Sequence, residues 1–188
     1  MRKLKLQMQM TIDGFVAKEN GEQDWMTWNS DPELLAFMNS LIDSSDTLLI
    51  GRKLSEGFIQ HWENAFQKNP ETPFAKKIID IPKVVFTKTL EQSTWNNTTL
   101  AKGNLADEIM NLKTQQGKDI LVFGGVDFVS SLVQENLIDE YHLIINPSAI
   151  GNGLSIFKSL INTKKFEPIQ SKLYSGGKTV LSFKPKND

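Results

Sequence analysis

The chain has 188 residues, 39% hydrophobic and 23% charged, with a formal net charge of −1. That composition fits one globular domain over 1–188 with a sizeable core, and it lacks the basic surface that nucleic acid or an anionic membrane selects. There is no cysteine, which excludes disulfides, thiolate zinc sites and thiol catalysis. No apolar run is long enough to span a bilayer, and Met1-Arg2-Lys3-Leu4-Lys5 opens no signal-peptide core, so a cytoplasmic protein is expected.

Residues 4–12 alternate in part and predict a first strand. Asp13-Gly14 follows, a hairpin signal, and residues 15–17 either continue the sheet or leave it. Residues 18–30 read as irregular, with Trp25 and Trp28 among polar neighbours. Ser30-Asp31-Pro32-Glu33 predicts a helix start with proline in the first turn, and Leu34, Phe37, Met38, Leu41 and Ile42 form its apolar stripe. Residues 47–50 predict a strand, followed by a short helix after Gly51. Residues 60–82 hold aromatics and prolines, with one helix near 74–79; residues 84–87 predict a buried strand. Helix 105–112, central strand 120–123, a helix lined by Val126, Val129, Val133 and Leu137, and strand 141–145 come next. Ser175-Gly176-Gly177-Lys178 predicts the turn of a terminal hairpin between 166–174 and 179–183. Strands alternating with helices, then turning antiparallel, predict an α/β mixed sheet covered on both faces.

Two of these strands run straight into a glycine that opens a helix: Thr47-Leu48-Leu49-Ile50-Gly51-Arg52-Lys53 and Ile120-Leu121-Val122-Phe123-Gly124-Gly125-Val126. Glycine permits a tight turn and close approach to the main chain. The helix behind it offers unpaired N–H groups and a positive dipole end, which suit phosphate. Either glycine alone fits a plain strand end. The pair, with Arg52 and Lys53, suggests a ligand with several phosphates, and a nucleotide cofactor is the first hypothesis. The chain has no Gly-x-Gly-x-x-Gly, no Walker A sequence and no Gly-x-Ser-x-Gly. His61 and His142 lack metal-ligand spacing, so serine–histidine catalysis and a histidine–metal centre are not expected.

The order of motifs resembles the dihydrofolate reductase superfamily, and within it the C-terminal reductase domain of the bacterial riboflavin-biosynthesis deaminase-reductase. The likeness is carried by Met10-Thr11-Ile12-Asp13-Gly14-Phe15-Val16-Ala17, the helix from Asp31, Leu49-Ile50-Gly51-Arg52-Lys53, Pro82-Lys83-Val84-Val85-Phe86-Thr87-Lys88 and Leu121-Val122-Phe123-Gly124-Gly125, with Gly151-Asn152-Gly153 before the final hairpin. The resemblance implies a dihydrofolate reductase-like fold, a mostly parallel sheet with an antiparallel C-terminal hairpin, and hydride transfer from NADPH to a small heterocycle. It implies that Gly51, Arg52 and Lys53 meet the pyrophosphate or the adenosine 2′-phosphate, with Thr87 and Lys88 near the latter. Phe123, Gly124, Gly125 and Val126 would wrap the pyrophosphate, and Gln9, Val16 and Ala17 would pass beside the nicotinamide. Arg52, Lys53 and Lys88 supply charge for NADP over NAD; Lys88 also fits a solvated strand end. Asp13-Gly14 is either a turn alone or a turn in a loop that closes over the ring.

Reduction of a C=N or C=O bond needs a proton, which a desolvated carboxyl can supply. The resemblance puts Glu33 in that catalytic and substrate-holding role, with Asp31 behind it and Phe37 and Trp25 against the ring. Glu33 equally completes a capping box with Ser30, and Trp25 and Trp28 equally anchor a loop. The substrate is left between a pterin and a phosphoribosylamino-pyrimidine. The chain has only Arg2 and Arg52 for carboxylate or phosphate, and Lys76, Lys77 and Lys83 are the candidates for a ribosyl phosphate. A non-catalytic NADP(H)-binding or sensor protein is the alternative. A homodimer is expected, paired through a sheet edge at 141–145 or the terminal hairpin.

Overall fold

The computed structural model describes residues 1–27, 31–71 and 73–186. Among the described residues, eight strands form one sheet. In chain order they are β1 (Leu4–Thr11), β2 (Ser45–Gly51), β3 (Lys83–Phe86), β4 (Thr98–Ala101), β5 (Asp119–Val122), β6 (Glu140–Asn146), β7 (Phe166–Leu173) and β8 (Thr179–Pro185). Their spatial order is β4-β3-β2-β5-β1-β6-β8-β7. β4 through β6 in that order are all parallel, and β8 pairs antiparallel with both β6 and β7. The mostly parallel sheet and the antiparallel C-terminal hairpin are as the sequence predicts.

Period-two alternation decides which side chains meet which helices. In β2, Leu49 joins one core cluster while Leu48 and Ile50 join another; in β5, Ile120 and Val122 join the first and Leu121 the second. The first cluster receives Ile109 from α4 (Leu105–Thr114) and Val129, Leu132 and Val133 from α5 (Val126–Gln134). The second receives Leu41 and Ile42 from α1 (Pro32–Asp43), Ile59 from α2 (Arg52–Lys68) and Ile78 from α3 (Pro73–Asp80). Helices therefore cover both faces. None of the helices among the described residues is long and apolar enough to cross a membrane.

Four expectations need correction. The helix after Gly51 is not short; α2 runs 17 residues. Strand β4 lies where no element was expected. Asp13-Gly14 does not make a hairpin. Gly14, at φ +87°, closes a turn in which its N–H donates to the Thr11 carbonyl, and the chain then pairs elsewhere, through an isolated antiparallel bridge between Ala17 and Leu154. The Asp13 carboxylate accepts from the N–H groups of Ile150 and Gly151 at 3.0 and 2.8 Å, which ties the turn to the loop after β6. Finally, β6 is not an edge. It lies between β1 and β8, and the edges are β4 and β7.

Candidate functional site

A cleft of about 830 Å³ opens where β2, β5 and β1 present their carboxyl ends, within the size range of small-molecule sites. Such ends are where open parallel sheets bind ligands. Gly51 is the N-cap of α2 and Gly125 the N-cap of α5, and neither helix has a side-chain cap. Both glycines line the cleft, so two uncapped helix N-termini face one space.

Packing explains why these positions are glycine. A β-carbon on Gly51 would lie 2.6 Å from Cβ of Phe128. Gly124 sits at φ +151°, and a β-carbon there would lie 3.1 Å from Cδ2 of Leu54. The peptide between Gly124 and Gly125 is cis. Leu54 and Phe128 thus bring the two helix starts together over adjacent strands.

Beside them, Arg52 forms an ion pair with Glu56 at 3.2 Å, while its Nε is buried with no partner among the described residues. An unsatisfied buried donor is costly unless a ligand completes it. Lys53, 87% exposed, pairs with Asp127 at 2.9 Å, and Lys158 takes the other carboxylate oxygen at 2.6 Å. Hydrogen bonds from Lys158 and then Lys53 hold the Asp127 carboxyl down to about 2, so it is ionised at neutral pH.

Strand β1 supplies the floor. Leu6, Met8 and Met10 face the core cluster of α4 and α5, which turns Gln7 and Gln9 to the opposite face. Asn146 on neighbouring β6 donates its Nδ2 to Oε1 of Gln9 at 2.8 Å. Val16 and Ala17 line the cleft and are fixed by Leu154, whose carbonyl accepts from Val16 N–H and whose N–H donates to Ala17, both at 2.8 Å. A β-carbon on Gly153 would collide with the Ala17 carbonyl, which accounts for glycine in that loop.

Ten residues expected around a cofactor line this single cleft: Gln9, Val16, Ala17, Gly51, Arg52, Lys53, Phe123, Gly124, Gly125 and Val126. Thr87 and Lys88 do not line it. Thr87 is buried and its Oγ1 accepts from the N–H groups of Thr89 and Leu90, so it shapes the turn after β3; Lys88 is exposed.

The acid positions also lie outside the lining. Asp31, not Ser30, caps α1: its Oδ1 accepts from the N–H groups of Glu33 and Leu34 at 2.9 and 3.0 Å. Ser30 and Trp28 lie outside the described residues. With Pro32 as the first helical residue, Glu33 is second rather than third and cannot complete the expected capping box. Its carboxylate is 72% exposed and paired with Lys172 at 2.7 Å. Phe37 packs edge-on against His142 with centroids 5.8 Å apart. Trp25 is buried, with its backbone carbonyl accepting from Ser148 Oγ. His142 is buried against Ser182, its pKa lowered mainly by burial, and lines no part of the cleft.

Sequence reasoning missed the wall along α2. Leu54, Phe58, His61 and Trp62 all line the cleft at helical spacing, with Phe74 of α3 beside Trp62. The signal was present as a three-to-four-residue stripe, and an expected short helix hid it. Gln7 was missed as well, although a glutamine between leucines and methionines on a central strand is a sequence-level mark of a site.

The sequence model of the RibD C-terminal domain family matches residues 2–180. Two uncharacterized Bacillus subtilis proteins are similar over most of their length. YyaP is 28% identical over 176 residues, covering 94% of this chain and 91% of its own. YwjB is 26% identical over 164 residues, covering 87% of each. Among solved structures, a protein assigned to riboflavin biosynthesis in Shewanella sp. PV-4 superposes with a TM-score of 0.71 over the whole of both chains at 22% identity. A Thermotoga maritima diaminohydroxyphosphoribosylaminopyrimidine deaminase/5-amino-6-(5-phosphoribosylamino)uracil reductase gives 0.69 at 16% identity, covering 98% of this chain and 57% of that one.

Proposed function

The chain belongs to the RibD C-terminal domain family, and from that premise we propose that it is an NADPH-dependent reductase of a small heterocyclic substrate. The observation that carries the reading is the pair of uncapped, glycine-opened helix starts at Gly51 and Gly125 facing one cleft, with the Arg52 Nε buried beside them and unpaired. These groups fit a dinucleotide. The N–H groups of α2 and α5 would hold the phosphates, and Arg52 and Lys53 would meet the added charge of a 2′-phosphate. The bound dinucleotide would supply a hydride to carbon of a C=N or C=O bond.

The rest falls to the chain. Val16 and Ala17, fixed by Leu154, close the cleft from one side and keep water from the ring. Gln9, oriented by Asn146, offers a carboxamide to hold a flat ring in register. Of the two carboxylates that line the cleft among the described residues, Asp127 is paired with two lysines, and Glu19 is exposed and accepts from Asn152. The proton for nitrogen or oxygen therefore comes from water in this account.

That same observation favours a second reading, an NADP(H)-binding sensor without turnover, which needs no proton donor. Consumption of NADPH with a panel of pterins, aminopyrimidines and quinones separates the two. Substrate-dependent loss of nicotinamide absorbance supports the reductase; tight binding of NADPH with no consumption across the panel supports the sensor.

A further inference from the structure

We propose that the arm of the cleft running along α2 takes an uncharged, unphosphorylated fused-ring compound with a carbonyl edge, and not a ribosyl phosphate. The inference rests on the reductase reading above, and it concerns the half of the cleft away from the helix starts.

That arm is built from rings. Phe58 and Trp62 follow Leu54 along one face of α2, so Trp62 lies roughly 15 Å along the helix axis from Arg52. Phe74 meets Trp62 with centroids 5.0 Å apart, and Phe123 meets Phe58 at 5.9 Å. All four rings are half-buried and line the cleft. Half-buried aromatic faces around an open space suit a flat apolar guest.

Cations are committed elsewhere. Lys76 pairs with Asp80, and Lys77 pairs with Asp43 at 2.7 Å. Lys83, 3% exposed, donates to the carbonyls of Ile79 and Ile81 at 2.7 and 2.9 Å. None of the three lines the cleft. Arg2 is buried against Asp46 and Thr47. Among the described residues the lysine and arginine side chains lining the cleft are Arg52 and Lys53, both at the helix starts; His61 lies exposed at the rim against Trp62. A phosphate placed in the α2 arm would be desolvated without a lysine or arginine partner, which is costly.

The cleft also offers a carboxamide. Gln7 is 4% exposed and lines the cleft, and its carboxamide has no hydrogen-bond partner among the described residues. A carbonyl or lactam edge on the guest can hydrogen-bond with that carboxamide, which both donates and accepts.

The test is calorimetry with menadione, a neutral fused-ring carbonyl compound, and uridine 5′-monophosphate, a ribosyl phosphate, as probes, with and without NADPH. Menadione should bind and the nucleotide monophosphate should bind at least tenfold more weakly. Trp62→Leu and Gln7→Leu, each checked for folding by circular dichroism, should each weaken menadione about tenfold while leaving NADPH affinity within about twofold. Absence of menadione binding, equal or tighter binding of the monophosphate, or menadione affinity unchanged in both folded variants overturns the proposal. NADPH affinity is read on the same samples: loss of NADPH binding with the probe preference intact counts against the reductase reading, not against the ring-binding arm.

Discussion

Glu33 shows how one side chain can satisfy two sequence readings until its neighbours are known. A carboxylate early in the first long helix fits a proton donor and fits helix-end chemistry. Its exposed pair with Lys172 and its place outside the cleft lining speak against the donor and leave it a surface ion pair. Replacement Glu33→Gln should leave NADPH consumption within about twofold and the melting temperature nearly unchanged, as for an exposed ion pair. A loss of about 10²-fold or more in steady-state turnover would return the carboxylate to the chemistry. By contrast, Gly51, Gly124 and Arg52 were legible at the residue level. Glycine at the end of an apolar strand and before a helical stripe needs no tertiary information to suggest a phosphate-sized opening. Thr87 and Lys88 were placed by resemblance alone; they lie outside the cleft lining, and Thr87 Oγ1 accepts from two N–H groups of the turn after β3.

Elements were legible where a periodic stripe was bounded by punctuation. Proline fixed the start of α1, and continuous apolar runs marked β2 and β5. Strand β4 was not legible: four residues, Thr98–Ala101, half-exposed on a sheet edge, carry too little pattern. Helix α2 carries Gly57 within it, and a glycine inside a helical pattern weakens the local signal. The start of α1 carries a pH prediction. Hydrogen bonds from the Ser175 hydroxyl and then from the Leu34 N–H hold the Asp31 carboxyl down to about 2. A carboxylate with a depressed folded value stabilises fully above its unfolded value near 4. That contribution is lost as pH falls from about 4 through about 2. Asp31→Asn keeps a capping oxygen and removes the titration. Thermal melts should therefore show wild type above the variant at pH 5–7, with the gap closing as the pH drops toward 2. A gap independent of pH would mean that the folded and unfolded values do not differ.

At the scale of the whole molecule, the order of the strands is what local pattern does not carry. Tyr141 to Ile145 looked like an edge because nothing local records that β1 and β8 flank it; crossovers that span most of the chain decide that. The edge that remains open beside the hairpin is β7, where Ile169 and Leu173 are 48% and 71% exposed. An exposed strand edge with apolar side chains invites pairing, and we propose that it pairs two copies of the chain. Light scattering at micromolar concentration should give a dimer mass, and Ile169→Lys with Leu173→Lys should give a monomer; a monomeric wild type would contradict the proposal. The proposed dinucleotide site is made by two helix starts and Arg52. Its most direct test is calorimetric titration of NADPH and NADH into the wild-type protein and into Arg52→Ala. NADPH should bind more tightly than NADH, with a loss in the variant of about 1.5–3 kcal/mol for NADPH and a smaller loss for NADH. Equal affinities of the two dinucleotides for the wild-type protein, or NADPH binding untouched by Arg52→Ala, would contradict it.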